Sequence, residues 1–504
     1  MIDDLEFELT NGGGDFDASA TTSSLAKPQP DFYTLTFPIE ESSDLSGDAN
    51  GKERSGEANG DNLITAPSLK RRSDVSRSSL HAYSLSSSDV HSEEAAGGGG
   101  APPEGQSGLV EVLNVEEFAR LLIQDLRPRV AKQLPPCLPA FILFGAFRFA
   151  DRVQDDQRIT ELFDEIQRLL KETAIESRDL DNLGLWLVNL WRLLNLFRQY
   201  SGESEEEGWH FMNTNEQNAC RLRNFNFEPI RNQLKLRVEE YYKTMMKAVI
   251  EPLLTPKISV AILQHESETP ESKGGARAAD EQKYRRLSRE SSKESVVQSL
   301  DDLKEFLDVV HTKLRTFGAD DVLLGQTFRQ LTHWIVSLAM NQLIFCSDLC
   351  TFEKAIQIKH NVVEVQNFLV AHELGFCSEV MEPLVQSAHL MQSKKDESNL
   401  SAICGEMTSR LSAKQVVSIL QHYKPPANFE EERVTPEFIA KMKDRLDERT
   451  ALANVNGTQQ SNSAIMPGTF LTPFNAQPFV YSDFPLDQLK IPPSLRLDGV
   501  VRLV

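Results

Sequence analysis

The chain has 504 residues, with 53 Lys and Arg against 74 Asp and Glu, and its formal net charge of −21 argues against broad binding to nucleic acid or anionic lipid. Its length allows two or three domains of ordinary size if most of it folds. The six cysteines are too few and too scattered for a disulfide framework and are typical of buried thiols in a reduced, cytoplasmic protein.

Residues 1–108 are predicted to be a disordered acidic leader. They hold 7 Lys and Arg against 19 Asp and Glu, and they are rich in Gly and Ser. Such a segment cannot bury enough apolar surface to offset the entropy that it would lose on ordering. Its first residues, MIDDLEFELT, have neither the basic nor the apolar region of a signal peptide. Ser73 follows the basic run 70–72 and is therefore a candidate phosphorylation site for a kinase that recognises basic residues.

Residues 109–265 are predicted to form a first helical subdomain. Asn114 is a suitable N-cap, because Glu116 and Glu117 would fill the first turn of the helix that follows it. Prolines then separate this helix from the next ones along the chain. The spacing of apolar residues predicts those helices over 140–152 and 159–171.

The most apolar stretch of this subdomain covers residues 183–197. Its only strongly polar side chains are Asn189, Arg192 and Asn195, which a helix would bring into one narrow stripe. We therefore predict a helix that is buried on nearly every side. It is too short to cross a membrane.

A long helical stretch over 227–263 is expected to be interrupted at Pro252 and Pro256, since proline has no N–H to donate. Beyond it, residues 266–296 are charged and almost free of apolar side chains, which predicts an interdomain loop. Ser288 ends the sequence RRLS in this loop and is a second phosphorylation candidate. A phosphate there would add nearly two negative charges to a basic cluster.

Residues 297–450 repeat the helical pattern and are predicted to form a second subdomain. Its helices are predicted over 297–314, 328–345, 353–372, 381–394, 398–410, 413–423 and 435–449. The apolar, proline-rich residues 451–504 are expected to lie as an extended strap across the helical body. Because no strand alternation of useful length is evident in the first half, the predicted fold class is all-α.

No catalytic, cofactor-binding or metal-binding residues are predicted. The sequence lacks both the G-x-x-x-x-G-K-[ST] phosphate loop and the G-x-S-x-G nucleophile motif. Cys346 and Cys350 have the spacing of two metal ligands on one helix face, but His360 and His372 provide no second pair. Buried thiols are the favoured interpretation, and the predicted protein is not an enzyme.

Several segments, in family order, resemble the dilute (DIL) domain, the globular cargo-binding tail of class V unconventional myosins. They include LPAFILF (138–144), WLVNLWRLL (186–194), EPLLTPKISVAILQHE (251–266), MNQLIFCSDLCTF (340–352) and ICGEMTSRLSAKQVVSILQHYKPPANFEEERV (403–434). The resemblance covers residues 110–504. It implies two packed helical bundles joined by a long helix, with the C-terminal strap folded back on the first bundle. It also implies a cytoplasmic protein that binds cargo adaptors and Rab-type GTPases on vesicles and organelles, for transport along the actin cytoskeleton.

This sequence also departs from the family. It has no motor head, calmodulin-binding neck or coiled coil, so a monomer is expected, and membranes would be reached only through adaptors. His372 and Thr450 occupy the two positions where the family has basic residues that help the tail hold the motor head, which puts binding to a motor head in question. Ser288 corresponds to the family's phosphorylatable serine. The alternative function is a dilute-domain scaffold at membranes or junctions that acts without a motor.

Overall fold

The computed structural model describes residues 108–176, 179–201, 213–265, 300–426, 433–455, 463–467, 474 and 489–504, all of which belong to one compact unit, residues 97–504. The predicted leader up to residue 107 and the predicted loop 266–296 lie outside the described residues. The two phosphorylation candidates, Ser73 and Ser288, therefore lie outside them as well. We call residues 108–265 the first half and residues 300–455 the second half.

The described chain is mostly helical, which confirms the predicted all-α class. The helices of the first half are α1 (Val115–Ala119), α2 (Pro128–Ala131), α3 (Leu138–Arg152), α4 (Asp156–Glu176), α5 (Leu180–Tyr200), α6 (Asn215–Ala219), α7 (Glu228–Thr244) and α8 (Glu251–Ile258). The helices of the second half are α9 (residues 300–317), α10 (Asp321–Phe345), α11 (Phe352–Ala371), α12 (Glu382–Gln392), α13 (Leu400–Cys404), α14 (Ala413–His422) and α15 (Pro436–Val455). The two short helices α2 and α6 are additions to the predicted set.

Helix α5 is buried on nearly every side, as its sequence predicts. Within its polar stripe, Asn189 and Asn195 are fully buried and Arg192 is half-buried. The Asn189 Oδ1 atom accepts a hydrogen bond from the backbone N–H of Ala140 at 3.1 Å. The Arg192 guanidinium lies 5.7 Å from the ring centroid of Phe141. The stripe therefore faces α3, and burial of the amides is tolerated because they are hydrogen-bonded.

The two prolines of the long helical stretch do not interrupt it, and that prediction is wrong. Helix α7 continues as a π-helical segment, Met245–Ile250, and α8 has Pro252 in its first turn. After Pro256 the chain continues as a second π-helical segment, Ser259–Gln264. A π-helical turn displaces the backbone hydrogen bonds from their α-helical partners, so a residue without an N–H is accommodated at less cost than in a regular helix.

Two helices of the second half differ from their predicted bounds. Helix α10 begins at Asp321 rather than at residue 328, because Asp320 caps it by accepting a hydrogen bond from Leu323 N at 2.8 Å. The bounds predicted for the helix over 398–410 are wrong, because the helix covers only Leu400–Cys404. It ends at Cys404, because Gly405 has the non-helical angles φ −96° and ψ −118°. A single 3₁₀ turn over Glu406–Thr408 follows.

The described residues near the C-terminus contact both halves. Met466 exchanges backbone hydrogen bonds with the side chain of Asn341 on α10, at 2.8 and 2.9 Å. The ring of Phe474 lies against Trp191 and Tyr242 of the first half, with centroid distances of 5.7 and 4.4 Å. The chain then forms strand β2 (Val501–Leu503), antiparallel to strand β1 (Val110–Val112). Sequence periodicity does not predict this two-stranded ribbon, because three residues are too few to show alternation.

The two halves share one continuous hydrophobic core. The indole Nε1 of Trp191 donates a hydrogen bond to Asp320 Oδ2 at 2.6 Å. Asp181 of the first half lies 2.9 Å from Lys132 and 3.0 Å from Lys313 of α9. At Gly318, which has φ +100°, a Cβ atom would approach the Cys137 thiol to 2.7 Å. That close approach between the halves requires glycine.

Candidate partner-binding surface

The residues singled out from the sequence do not come together as a chemical site. Helix α10 ends at Phe345, and Cys346 and Cys350 flank a 3₁₀ turn over Ser347–Leu349 rather than sharing one helix face. Cys346 is exposed, so the prediction of a buried thiol is wrong for that residue. The Cys350 thiol is buried and donates to Leu343 O at 3.3 Å, and burial raises its pKa to about 12. Such a thiol is held protonated and is a poor metal ligand.

The two positions where the resemblance expects basic residues lie in different surroundings. His372 is half-buried at the end of α11, and its Nε2 atom lies 3.5 Å from Asp308 Oδ1. Thr450 is buried in α15, where its hydroxyl donates to Leu446 O at 2.9 Å. Thr450 therefore offers no charge to a partner.

A surface cleft of about 460 Å³ lies between α1 and α4. The cleft has no Ser, Cys, Lys or His side chain among its lining residues, which are Asn114, Glu116, Glu117, Arg120, Gln124, Glu165, Arg168 and Leu169. Arg168 pairs with Glu165 at 2.5 Å and with Glu172 at 2.7 Å. Arg168 is thus neutralised by neighbouring carboxylates on its own helix.

Two further features are absent from the part of the chain that the structure describes. Within those residues, no three His, Cys, Asp or Glu side chains are grouped so that they could hold a metal ion. None of the described helices combines the length and the apolar character needed to cross a bilayer.

Helix α11 is held rigidly from its inner side. It starts at Thr351, whose hydroxyl accepts a hydrogen bond from Lys354 N at 3.1 Å. Its inner residues Ala355, Ile358, Val362, Val365 and Leu369 are buried. The amide of Asn361, also buried, donates to Ile262 O at 3.1 Å and to His265 O at 3.0 Å. These bonds fix α11 to the C-terminal end of the long helical stretch of the first half.

The outer side of α11 carries exposed apolar side chains at intervals of seven residues. Ile356, Val363 and Val370 are 41, 40 and 64 % exposed. Seven residues are nearly two helical turns, so these three side chains, which we call the α11 row, point in one direction about 10 Å apart. Isolated exposed apolar residues are ordinary on a soluble protein, but a row in register along one helix marks a candidate interface.

The chemistry of the α11 row suits the docking of another protein. Its members are all β-branched and therefore lose little side-chain entropy when a partner covers them. His360 and Asn367 are exposed between them and offer polar contacts. Lys359 adds a positive charge beside the row. Burial lowers the pKa of His389 on α12, and the charge of Lys359 lowers it further. The row thus has the anatomy of an interface, with apolar positions bordered by polar and charged ones.

Sequence reasoning did not identify the α11 row. The segment FEKAIQIKHNVVEVQNFLVA has apolar residues on both sides of the helix, so periodicity alone does not tell the inner side from the outer one. The usable signal is the 4-3 spacing of positions 353, 356, 360, 363, 367 and 370, a second stripe beside the buried one.

Comparisons with known proteins single out one family. A family model described as the DIL domain matches residues 326–427, which include all of α11. Human unconventional myosin-Va is 32% identical over 406 residues, covering 79% of this chain and 20% of that protein. Human unconventional myosin-Vb is 31% identical over 400 residues, covering 78% of this chain and 20% of that protein. The chain therefore spans about one fifth of the length of these relatives. A solved structure of Myo2-GTD in complex with Mmr1 has a TM-score of 0.48 at 18% identity, covering 76% of this chain and 92% of that chain.

Proposed function

The chain belongs to the DIL-domain family, whose members include the tails of class V myosins, and on that premise we propose that it is a non-enzymatic platform that binds cargo adaptors and Rab-type GTPases. In this role it serves actin-based transport of vesicles and organelles in the cytoplasm. Contact with membranes is made through the bound adaptors, and the chain acts as a monomer unless a partner brings two copies together.

The observation that carries the proposal is the α11 row. It lies inside the residues that match the DIL model, and it is the outer side of a helix whose inner side is bonded to the first half. A rigid, pre-formed surface loses little entropy on binding, so a short apolar row can support useful affinity. We place the first protein contact of the proposed function at this row.

Binding by the full chain to a panel of purified Rab-type GTPases, each loaded with GDP or with a non-hydrolysable GTP analogue, tests the proposal. We expect at least one GTP-form GTPase to bind, and the variant Val363→Asp to weaken that binding about tenfold, since a charge would replace an apolar contact at the centre of the row. Because Val363 is 40 % exposed on the outer side of α11, its replacement should change the free energy of unfolding by less than about 0.5 kcal/mol.

Leu236→Asp on α7 is the matched control, because Leu236 is an equally apolar side chain, 66 % exposed, on a different helix. Its binding should equal that of the unchanged chain. If no GTPase of the panel binds, the Rab part of the proposal is wrong. If Val363→Asp and Leu236→Asp bind as well as the unchanged chain, the partner uses another surface.

We propose the same domain organisation that the sequence predicts: a leader over 1–108, subdomains over 109–265 and 297–450, a loop over 266–296 and a strap over 451–504. Phosphorylation at Ser288 or Ser73 is proposed as a means of changing partner choice, because a phosphate would reverse the local charge beside Lys and Arg.

A further inference from the structure

Two histidines and one carboxylate meet where the last turn of α11 packs on α9. The ring centroids of His311 and His372 lie 4.6 Å apart, with 59° between the ring planes. The His372 Nε2 atom lies 3.5 Å from Asp308 Oδ1. Phe328 of α10 lies 5.9 Å from the His311 ring, and Phe368 of α11 lies 4.2 Å from the His372 ring. Each histidine of the pair thus contacts one phenylalanine ring.

This cluster can balance one positive charge but not two. Asp308 lies within ion-pair distance of His372, so a proton on that ring has a counter-charge. His311 is different, because its Nε2 atom is buried and has no hydrogen-bond partner within the described part of the chain. A proton on His311 would add a cation next to His372 and close to Arg315, and like charges at this separation repel.

Two cations of α9 near the pair are bonded to other carboxylates. On α9, Lys304 lies 3.0 Å from Asp301 and 3.6 Å from Glu364 of α11. Arg315 is bonded to Asp321 at the start of α10. Asp308, itself half-exposed, lies within ion-pair distance of His372 and is the carboxylate that faces the pair.

We propose that the His311–His372 contact is a pH-sensitive link that holds the last turn of α11 against α9 and releases it when acidification protonates both rings. Release displaces the end of the α11 row and weakens partner binding there. This second step rests on the proposed function, whereas the release itself does not.

The path from the histidine pair to the row is short. His372 caps α11, with its backbone N–H donating to Phe368 O at 3.2 Å, and Val370 lies in the same turn. Glu373 then takes up φ +62°, and the chain continues into a 3₁₀ helix, Gly375–Met381, that carries the exposed Phe376. A shift at His372 therefore moves apolar side chains on both sides of it.

The direction of the pH effect follows from the surroundings of His311. Burial lowers its pKa below the ordinary 6.5, and the charges of His372 and Arg315 lower it further, while Asp308 acts in the opposite direction. The unfolded chain therefore takes up the proton more readily than the folded one. The neutral ring contributes its full stability above about pH 6.5, and that contribution is lost as the pH falls through the folded-state pKa.

Hydrogen exchange of the full chain at pH 7.5 and pH 5.5, corrected for the intrinsic pH dependence of exchange, tests the release. We expect amide protection over residues 368–376 to fall about fivefold or more at the lower pH. A factor of about five is the lower end of the coupling commonly found between two sites of a protein. The variant His311→Phe keeps an aromatic ring against Phe328 and should show no such fall. His311→Gln serves as a second variant if the larger ring disturbs packing, and His422→Phe on α14 should behave like the unchanged chain.

Equal loss of protection in the unchanged chain and in both His311 variants would overturn the proposed link, whatever the partners do. Affinity for a GTPase found as above is then measured at the same two pH values. If affinity falls at pH 5.5 in the unchanged chain but not in His311→Phe, the histidine pair is coupled to the α11 row. An equal loss of affinity in both proteins refutes that coupling. If no GTPase binds at either pH, the Rab part of the proposed function fails, while the exchange result still decides the release.

Discussion

The hydrogen bond between Trp191 and Asp320 can be tested by replacing Trp191 with Phe. Both side chains are buried, and the indole Nε1 donates to Asp320 Oδ2 at 2.6 Å across the two halves. A hydrogen bond to a charged group contributes about 1.5–3 kcal/mol, and its loss leaves a buried carboxylate oxygen without this donor. The smaller ring adds about 1 kcal/mol for the space left behind. We expect the free energy of unfolding to fall by about 3 kcal/mol.

Trp186→Phe is the matched control, because Trp186 is equally buried on the same helix and has no side-chain hydrogen bond among the described residues. It should lose only the packing part, about 1 kcal/mol. The measurement is the denaturant midpoint of each full-length variant. Unfolding is monitored by far-ultraviolet circular dichroism, because the substitutions remove a tryptophan and would change a fluorescence signal. Equal losses in the two variants would refute the idea that this bond joins the halves.

Two further changes test the contacts that connect distant parts of the chain. Phe474→Ala removes a ring that is 7 % exposed, and we expect a loss of about 2–4 kcal/mol in the same unfolding assay, against less than about 0.5 kcal/mol for the exposed control Ile465→Ala. Asp181→Asn removes two ion pairs, to Lys132 and Lys313, and since these groups are partly exposed the expected loss is at most about 1 kcal/mol at neutral pH. Burial acts to raise the pKa of Asp181, but the bonds to Lys132 and Lys313 together outweigh it and hold that pKa below its usual value. The difference in free energy of unfolding between Asp181→Asn and the unchanged chain should therefore persist above the ordinary carboxyl pKa. It should vanish as the pH falls through the lowered pKa of Asp181 in the folded chain, and a difference that grows in acid would contradict this.

Most helices could be predicted from the sequence, because a helix is a local structure. Asn114 caps α1 as expected, accepting from Glu117 N at 3.0 Å, and the stripe of Asn189, Arg192 and Asn195 correctly marks the one polar side of a buried helix. The misplaced ends have local causes too. Gly405 ended a helix early, and Asp320 started one early, and both residues were visible in the sequence. Helix α6 also had a readable signal, since Thr214 and Gln217 form a capping box.

The candidate surface could not be predicted in the same way. Exposure of Ile356, Val363 and Val370 depends on which side of α11 meets the rest of the protein, and that side is set by contacts such as Asn361 with Ile262. A side chain's own residue type does not carry this information. The resemblance to the dilute domain indicated a binding function but not the residues that perform it.

By itself the sequence determined the fold class, the order of the helices and the buried side of α5, because helical periodicity and caps act over a few residues. Tertiary structure alone decided the pairing of Val110–Val112 with Val501–Leu503, the position of Phe474 and the meeting of His311 with His372. These contacts join residues far apart in the chain. Their energy depends on surfaces that exist only after the helices have packed, so no local pattern encodes them.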